Sequence, residues 1–171
     1  MEKSMIHLFD DPTILSSIGT EIGKSSWIKV TQELITNFGH LTKDPDLAHI
    51  DPEWAEQHSP FGTTIAFGFL TVSLLTTMLN GIVARPEDEV STLNYGFDRL
   101  RFLTPVLVGA EIRGRFELKA MELRSPKQFK VTYGVVVEIA GSEKPAMLAD
   151  WLCITNVANA RNLIASPHIP S

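Results

Sequence analysis

A chain of 171 residues, 44% of them hydrophobic, can bury the core of one domain without a disulfide or metal to hold it. Its net charge of −5 argues against a nucleic-acid or anionic-membrane binder, although a local basic patch would still serve an anionic ligand. The single cysteine, Cys153, excludes an internal disulfide and a cysteine-rich zinc motif, and within LADWLCIT it reads as core packing.

The first 24 residues form a lead with a short helix over DPTILSSIG. MEKSMIHLFDDP has no apolar core like that of a signal peptide, so the expected location is cytoplasmic by default. SSWIKV reads as a strand running into a helix that Thr31 caps and Glu33 favours at its positive end, with Val30 stapled against Ile35. Ile35, Phe38 and Leu41 give that helix one apolar face. A loop over 43–51 follows, and Asp51-Pro52 then opens a short helix, PEWAEQH, as N-cap and first helical position. SPFGTT is a turn. The run IAFGFLTVSLLTTMLNGIV, 65–83, is nearly long enough to cross a bilayer, for which about 20 apolar residues suffice. It contains Thr71, Ser73, Thr76, Thr77 and Asn80 and lacks flanking basic clusters or aromatic belts, so it reads as a buried central helix ending near Asn80-Gly81.

From about residue 91 the period changes to two. In EIRGRFELKAME, Ile112, Phe116, Leu118 and Ala120 alternate with charged residues; QFKVTYGVVVEIA repeats the pattern with Phe129, Val131, Tyr133, Val135, Val137 and Ile139. SPKQ and GSEKP mark hairpin turns, and AMLADWLCIT, apolar on both faces, suits a central or interface strand. The tail NVANARNLIASPHIPS has no clear period. Helices first and an antiparallel meander after them make an α+β protein, with the sheet curled round one very apolar helix.

Asp44 and His49 lie five apart in a loop, where they can converge on one water; a carboxylate and an imidazole together can remove one proton and deliver another. A polar loop between ordinary helices would look the same. Gly68 opens the apolar helix, where unpaired N–H groups and the positive dipole end favour a developing oxyanion and the missing Cβ lets it approach. Equally, a glycine there relieves crowding in a buried helix. His40, Asp44, Asp46, His49, Asp51 and His58 are ligand-type residues, but their spacing fits neither HExxH nor a calcium loop, so no metal is expected.

The order D-x-x-x-x-H-x-D-P-x-x-A (Asp44, His49, Asp51-Pro52, Ala55), then PFGTTIAFGFLT and NYGFDRLRFLTPVLVGAEIRGR, resembles the MaoC-like (R)-specific enoyl-CoA hydratases and dehydratases, in the branch related to nodulation protein N. The resemblance covers roughly residues 18–155, leaving a lead, 1–17, and a tail, 156–171. It implies a hot-dog fold. It also implies that Asp44 and His49 handle water and a proton, that the Gly68 amide donates to the thioester oxygen, and that Thr76 matches a hydroxyl position of the family. Three departures stand out: Lys43 where the family commonly has glycine, Asp46-Leu47 where Asn-Pro is frequent, and Phe67 where histidine is frequent.

The activity this implies is that of a hydro-lyase, reversible syn hydration of a trans-2-enoyl thioester to an (R)-3-hydroxyacyl thioester, with no cofactor. Phe67, Phe69, Leu70 and Phe102 are candidate walls for the acyl chain. Arg99, Arg101, Arg113 and Arg115 are available for the phosphates of a CoA or acyl-carrier substrate. Exposed sheet edges and the apolar closing strand point to a homodimer. Two rivals remain, a non-catalytic acyl-binding subunit of a heterodimer and a hot-dog thioesterase.

Overall fold

The computed structural model describes residues 5–9 and 14–161. The helix expected over DPTILSSIG is a single 3₁₀ turn, Ile14–Ser17, with 11–13 outside the described residues. Two short strands follow, β1 (Thr20–Lys24) and β2 (Ile28–Lys29). Helix α1 (Gln32–Thr42) begins where expected, the Thr31 hydroxyl accepting from the Leu34 N–H at 3.2 Å. Its apolar face is narrower than the sequence suggests. Ile35 is fully buried, but Leu41 is 83% exposed, because six residues on the helix has turned about 240° round its axis.

The 43–51 segment is not all loop. Asp46 caps a one-turn helix, α2 (Leu47–Ile50), through the Ala48 N–H at 2.9 Å. Asp51 then caps α3 (Pro52–His58) through the Trp54 N–H at 2.9 Å, with Pro52 in the first turn. The single helix expected over 65–83 is two, α4 (Gly68–Ser73) and α5 (Leu75–Asn80), joined at Leu74. It starts late because Ile65 bridges to Leu107 and the Ala66 N–H donates to the Val106 carbonyl at 2.8 Å, which holds both residues extended. Near the break, the Ser73 hydroxyl donates back to the Phe69 carbonyl at 2.8 Å, a contact that bends helices.

Four long strands complete the molecule: β3 (Glu89–Phe102), β4 (Glu111–Ser125), β5 (Gln128–Ile139) and β6 (Met147–Val157). All pair antiparallel in the order β1-β4-β5-β6-β3, with β2 also on β4. The alternation read from the sequence is the inward face: Ile112, Phe116 and Leu118 on β4 and Phe129 to Val137 on β5 are buried. Strand β6 is central, which explains its apolar character on both faces. Register shifts in the β3–β6 and β4–β5 pairs supply the curvature that wraps the sheet round Leu70, Leu75 and Met78 of the central helices. This is a hot-dog fold. Among the described residues strand β3 is a free edge, with Val90, Leu93 and Tyr95 exposed. Among the described residues no helix is long and apolar enough to cross a membrane.

Candidate active site

Helix α1 ends on Lys43, whose backbone is left-handed (φ 58°, ψ 35°), and the Asp44 N–H returns to the Gly39 carbonyl at 2.9 Å. This C-cap puts Asp44 on the surface at the start of the next segment. Five residues on, α2 carries half-buried His49.

Three contacts fix His49. Its Nδ1 lies 2.7 Å from the Ile65 carbonyl oxygen, which can only accept, so Nδ1 carries the proton and Nε2 of the neutral ring keeps a free lone pair. One ring face lies against Phe67, with centroids 3.8 Å apart and planes at 30°, and Phe38 packs against Phe67 at 5.4 Å. The His49 carbonyl accepts from Gln32 Nε2 at 2.8 Å, while Gln32 Oε1 accepts from the hydroxyl of fully buried Thr64 at 2.5 Å. The Ile65 N–H closes the arrangement by donating to the Ala48 carbonyl at 3.2 Å. Gln32 and Thr64 carried no signal in the sequence, because they lie 32 residues apart and meet only in the fold.

A cavity of about 350 Å³ brings together His49, Gly68, Thr71, Phe102 and Val106. Gly68 is the first residue of α4, so its N–H belongs to the turn that has no intrahelical acceptor. A Cβ on Gly68 would fall 2.9 Å from the Phe102 ring, so the glycine permits the close cover that Phe102 gives this end of the cavity. Thr71, buried and one turn after Gly68, lines the same space and was not singled out by the sequence motifs.

The other expected residues do not line this cavity. Asp44 is exposed and is not among the lining residues. Phe67 supports His49 from behind, and Leu70, 3% exposed, is core. Phe69, 68% exposed, meets Phe102 edge-on at 6.2 Å. Thr76 lines a separate cavity of about 340 Å³.

Among the described residues no three His, Cys, Asp or Glu side chains form a group that could hold a metal. Asp46 and Asp51 are engaged as caps, and His58 Nδ1 lies 2.9 Å from the Trp54 carbonyl. On the outer face of the sheet, Glu138 engages Arg113 at 2.8 Å and Arg115 at 3.1 Å. Partial burial disfavours the Glu138 carboxylate, but Arg113, with Lys24 and Arg115, outweighs it and holds the carboxyl below its ordinary value. Arg99 and Arg101 lie outside this cluster, and the Arg101 guanidinium donates to the Leu100 carbonyl at 2.7 Å.

A curved sheet on a central helix pair, with a tautomer-fixed histidine and a helix-opening glycine in one cavity, defines a hot-dog protein with the parts for acid/base chemistry. The family described as MaoC like domain matches residues 14–139. Nodulation protein N of Rhizobium leguminosarum bv. viciae is 45% identical over 139 residues, covering 81% of this chain and 86% of its own. The 3-hydroxyacyl-thioester dehydratase Z of Mycobacterium tuberculosis (strain ATCC 25618 / H37Rv) is 35% identical over 137 residues, covering 80% of this chain and 89% of its own. The solved (R)-hydratase from A. caviae involved in PHA biosynthesis shares the fold, with a TM-score of 0.59 at 22% identity over 78% of this chain and 94% of its own. The chain belongs to the MaoC-like dehydratase family, and with it to the hydro-lyases.

Proposed function

We propose that the protein catalyses reversible syn hydration of trans-2-enoyl thioesters to (R)-3-hydroxyacyl thioesters. The observation that carries this is the sharing of one cavity by His49, its Nδ1 proton committed to the Ile65 carbonyl, and the opening residue of α4, Gly68. In the forward direction Asp44 and His49 hold a water at C3 of the enoyl group. As the water oxygen bonds to C3, its proton passes to the pair, and the double-bond electrons move toward the thioester oxygen. The Gly68 N–H stabilises that charge. The pair then returns a proton to C2 on the same face, so one water is added and no cofactor is consumed. The names of the mycobacterial relative and of the A. caviae hydratase agree with this chemistry, the first in the dehydrating direction.

The substrate is an acyl-CoA or acyl-carrier thioester, entering beside Phe102. The active form is a homodimer in which a second copy pairs along β3, whose free edge exposes Val90 at 68%, Leu93 at 55% and Tyr95 at 59%. Sedimentation equilibrium is expected to return a dimer that Leu93→Lys weakens; a monomer at micromolar concentration would remove the dimer from the scheme.

The decisive assay incubates the protein with crotonyl-CoA and longer enoyl-CoAs, following loss of conjugation, free thiol and product chirality. Hydration without thiol release is expected. Asp44→Asn and His49→Ala should each lower turnover by about 10²–10⁴ with the fold intact. Full activity in both variants would end the acid/base assignment. Thiol release would point to a thioesterase, and binding without turnover to an acyl-binding subunit.

A further inference from the structure

Helix α1 carries a glycine that helix formation alone does not favour. Gly39 is buried at the eighth of the eleven positions of Gln32–Thr42, inside the helix rather than at its cap, where glycine is among the least favourable residues. It does not line the cavity of His49 and Gly68. Its neighbours supply the reason for it. A Cβ on Gly39 would fall 3.0 Å from Phe67 Cζ, 3.0 Å from Ile50 Cγ2 and 3.1 Å from the Asp44 carbonyl oxygen. Carbon atoms pack best at about 3.5–4.0 Å, so all three neighbours would be crowded at once.

Each of them leads to the proposed acid/base pair. The Phe67 ring lies against His49, with centroids 3.8 Å apart. Ile50 follows His49 in the one-turn helix α2. The Asp44 peptide is seated on Gly39 twice, its N–H donating to the Gly39 carbonyl at 2.9 Å and its own carbonyl lying where a Cβ would press. Asp44 is exposed, so its backbone fixes where its side chain begins.

The fit also depends on the size of the ring at 67. Cζ is the outermost carbon of a six-membered ring, and a five-membered imidazole on the same backbone ends short of it. Histidine at 67 would leave room over residue 39, whereas Phe67 takes it. A glycine that only relieved crowding would govern stability alone; this one lies between the ring that supports His49 and the peptide that carries Asp44.

We propose that Gly39 is a positioning residue for the hydration site, acting through the Phe67 ring to set the place of His49 relative to the Asp44 peptide. The inference rests on the function proposed above for its kinetic consequences and on the contacts alone for its spectroscopic ones.

The test compares wild type, Gly39→Ala, Phe67→His and the double variant. In crotonyl-CoA hydration followed across pH, Gly39→Ala should lower kcat by about tenfold or more and alter the pH–rate profile, with KM within about twofold because Gly39 lies outside the cavity. On the Phe67→His background the same change should cost less than about threefold, since the shorter ring no longer meets the new methyl. Proton NMR of the His49 ring needs no turnover. The Phe67 ring current acts on these resonances, and Gly39→Ala should move them in the wild-type background. Thermal melts keep every measurement well below unfolding. If Gly39→Ala folds only together with Phe67→His, the steric pairing is upheld. Wild-type kcat, pH profile and His49 resonances in Gly39→Ala would overturn the proposal whatever the Tm. An equal loss of kcat in both backgrounds, or failure to fold in both, would also overturn it, because the fold rather than the Phe67 ring would then require the glycine. Absence of turnover in wild type would remove the hydratase function and leave the His49 resonances to decide whether Gly39 sets the ring.

Discussion

Replacing Gln32 by leucine would test whether His49 is held by a network rather than by its own segment. Gln32 gives one hydrogen bond to the His49 carbonyl at 2.8 Å and takes one from Thr64 at 2.5 Å. Thr64 is fully buried, so in Gln32→Leu its hydroxyl has no water to turn to, at a cost of about 1–3 kcal/mol. The half-buried His49 carbonyl adds about 0.5–1.5 kcal/mol, for a total near 2–4 kcal/mol. In a domain of this size, that lowers Tm by about 5–12 °C. Thr64→Val alone should cost less, because half-buried Gln32 can turn its amide toward solvent. The double variant leaves no orphaned hydroxyl and should be more stable than the sum of the singles predicts, by about 1 kcal/mol. Denaturant unfolding of the four proteins measures this coupling. Enoyl-CoA turnover in Gln32→Leu should fall by about tenfold or more, since small misplacements of a reacting group are expensive. Strictly additive singles, or Gln32→Leu with wild-type Tm and turnover, would refute the idea that this network positions His49.

Lys43 is the one non-glycine residue among the described residues with positive φ, at 58°, and a left-handed backbone is unfavourable for any residue with a Cβ. Lys43→Gly should therefore stabilise the protein by about 0.5–1 kcal/mol in urea unfolding without changing turnover. Asp88 is held at about 2, below its ordinary 3.8, by the hydrogen bonds of Arg161 first and of the Asn159 N–H second. The folded-state value is the lower one, so protons favour the unfolded chain. The stabilisation is fully present above about pH 4 and is lost as pH falls through about 2. Melts of wild type and Asp88→Asn should therefore differ near neutrality and converge over that window; a gap that persists at pH 2 would place its origin elsewhere.

Period-two patterns marked β5, and β4 as far as Leu118, because their inward residues face the core; a register shift at Ala120 then passes the inward position to Met121. Capping chemistry placed the starts of α1 and α3 because each cap acts within three residues of its own position. Expectations drifted where a tertiary partner decided the outcome. Ile65 and Ala66 fit a helix by composition, yet the segment around Leu107 and Val106 holds them extended. Asp46 read as part of a loop and instead caps a turn of helix. The candidate site residues followed the same division. His49 and Gly68 could be found from a linear motif, whereas Gln32 and Thr64 act on His49 across gaps of 17 and 32 residues that no local pattern records.

Two of the three departures from the family motif gain a physical meaning at this point. Lys43 stands where the backbone is left-handed, which is the reason glycine is common there, so its effect belongs to stability. Phe67 stands where histidine is frequent, and its ring lies 3.8 Å from that of His49. A second imidazole in that place would offer another polar and titratable group against the first. Phenylalanine gives one face of His49 an apolar neighbour and leaves the Ile65 carbonyl to choose the tautomer. Phe67→His should therefore shift the pH–rate profile of hydration more than it lowers Tm, because it changes the surroundings of the one nitrogen, Nε2, that the protein has left free to carry a proton.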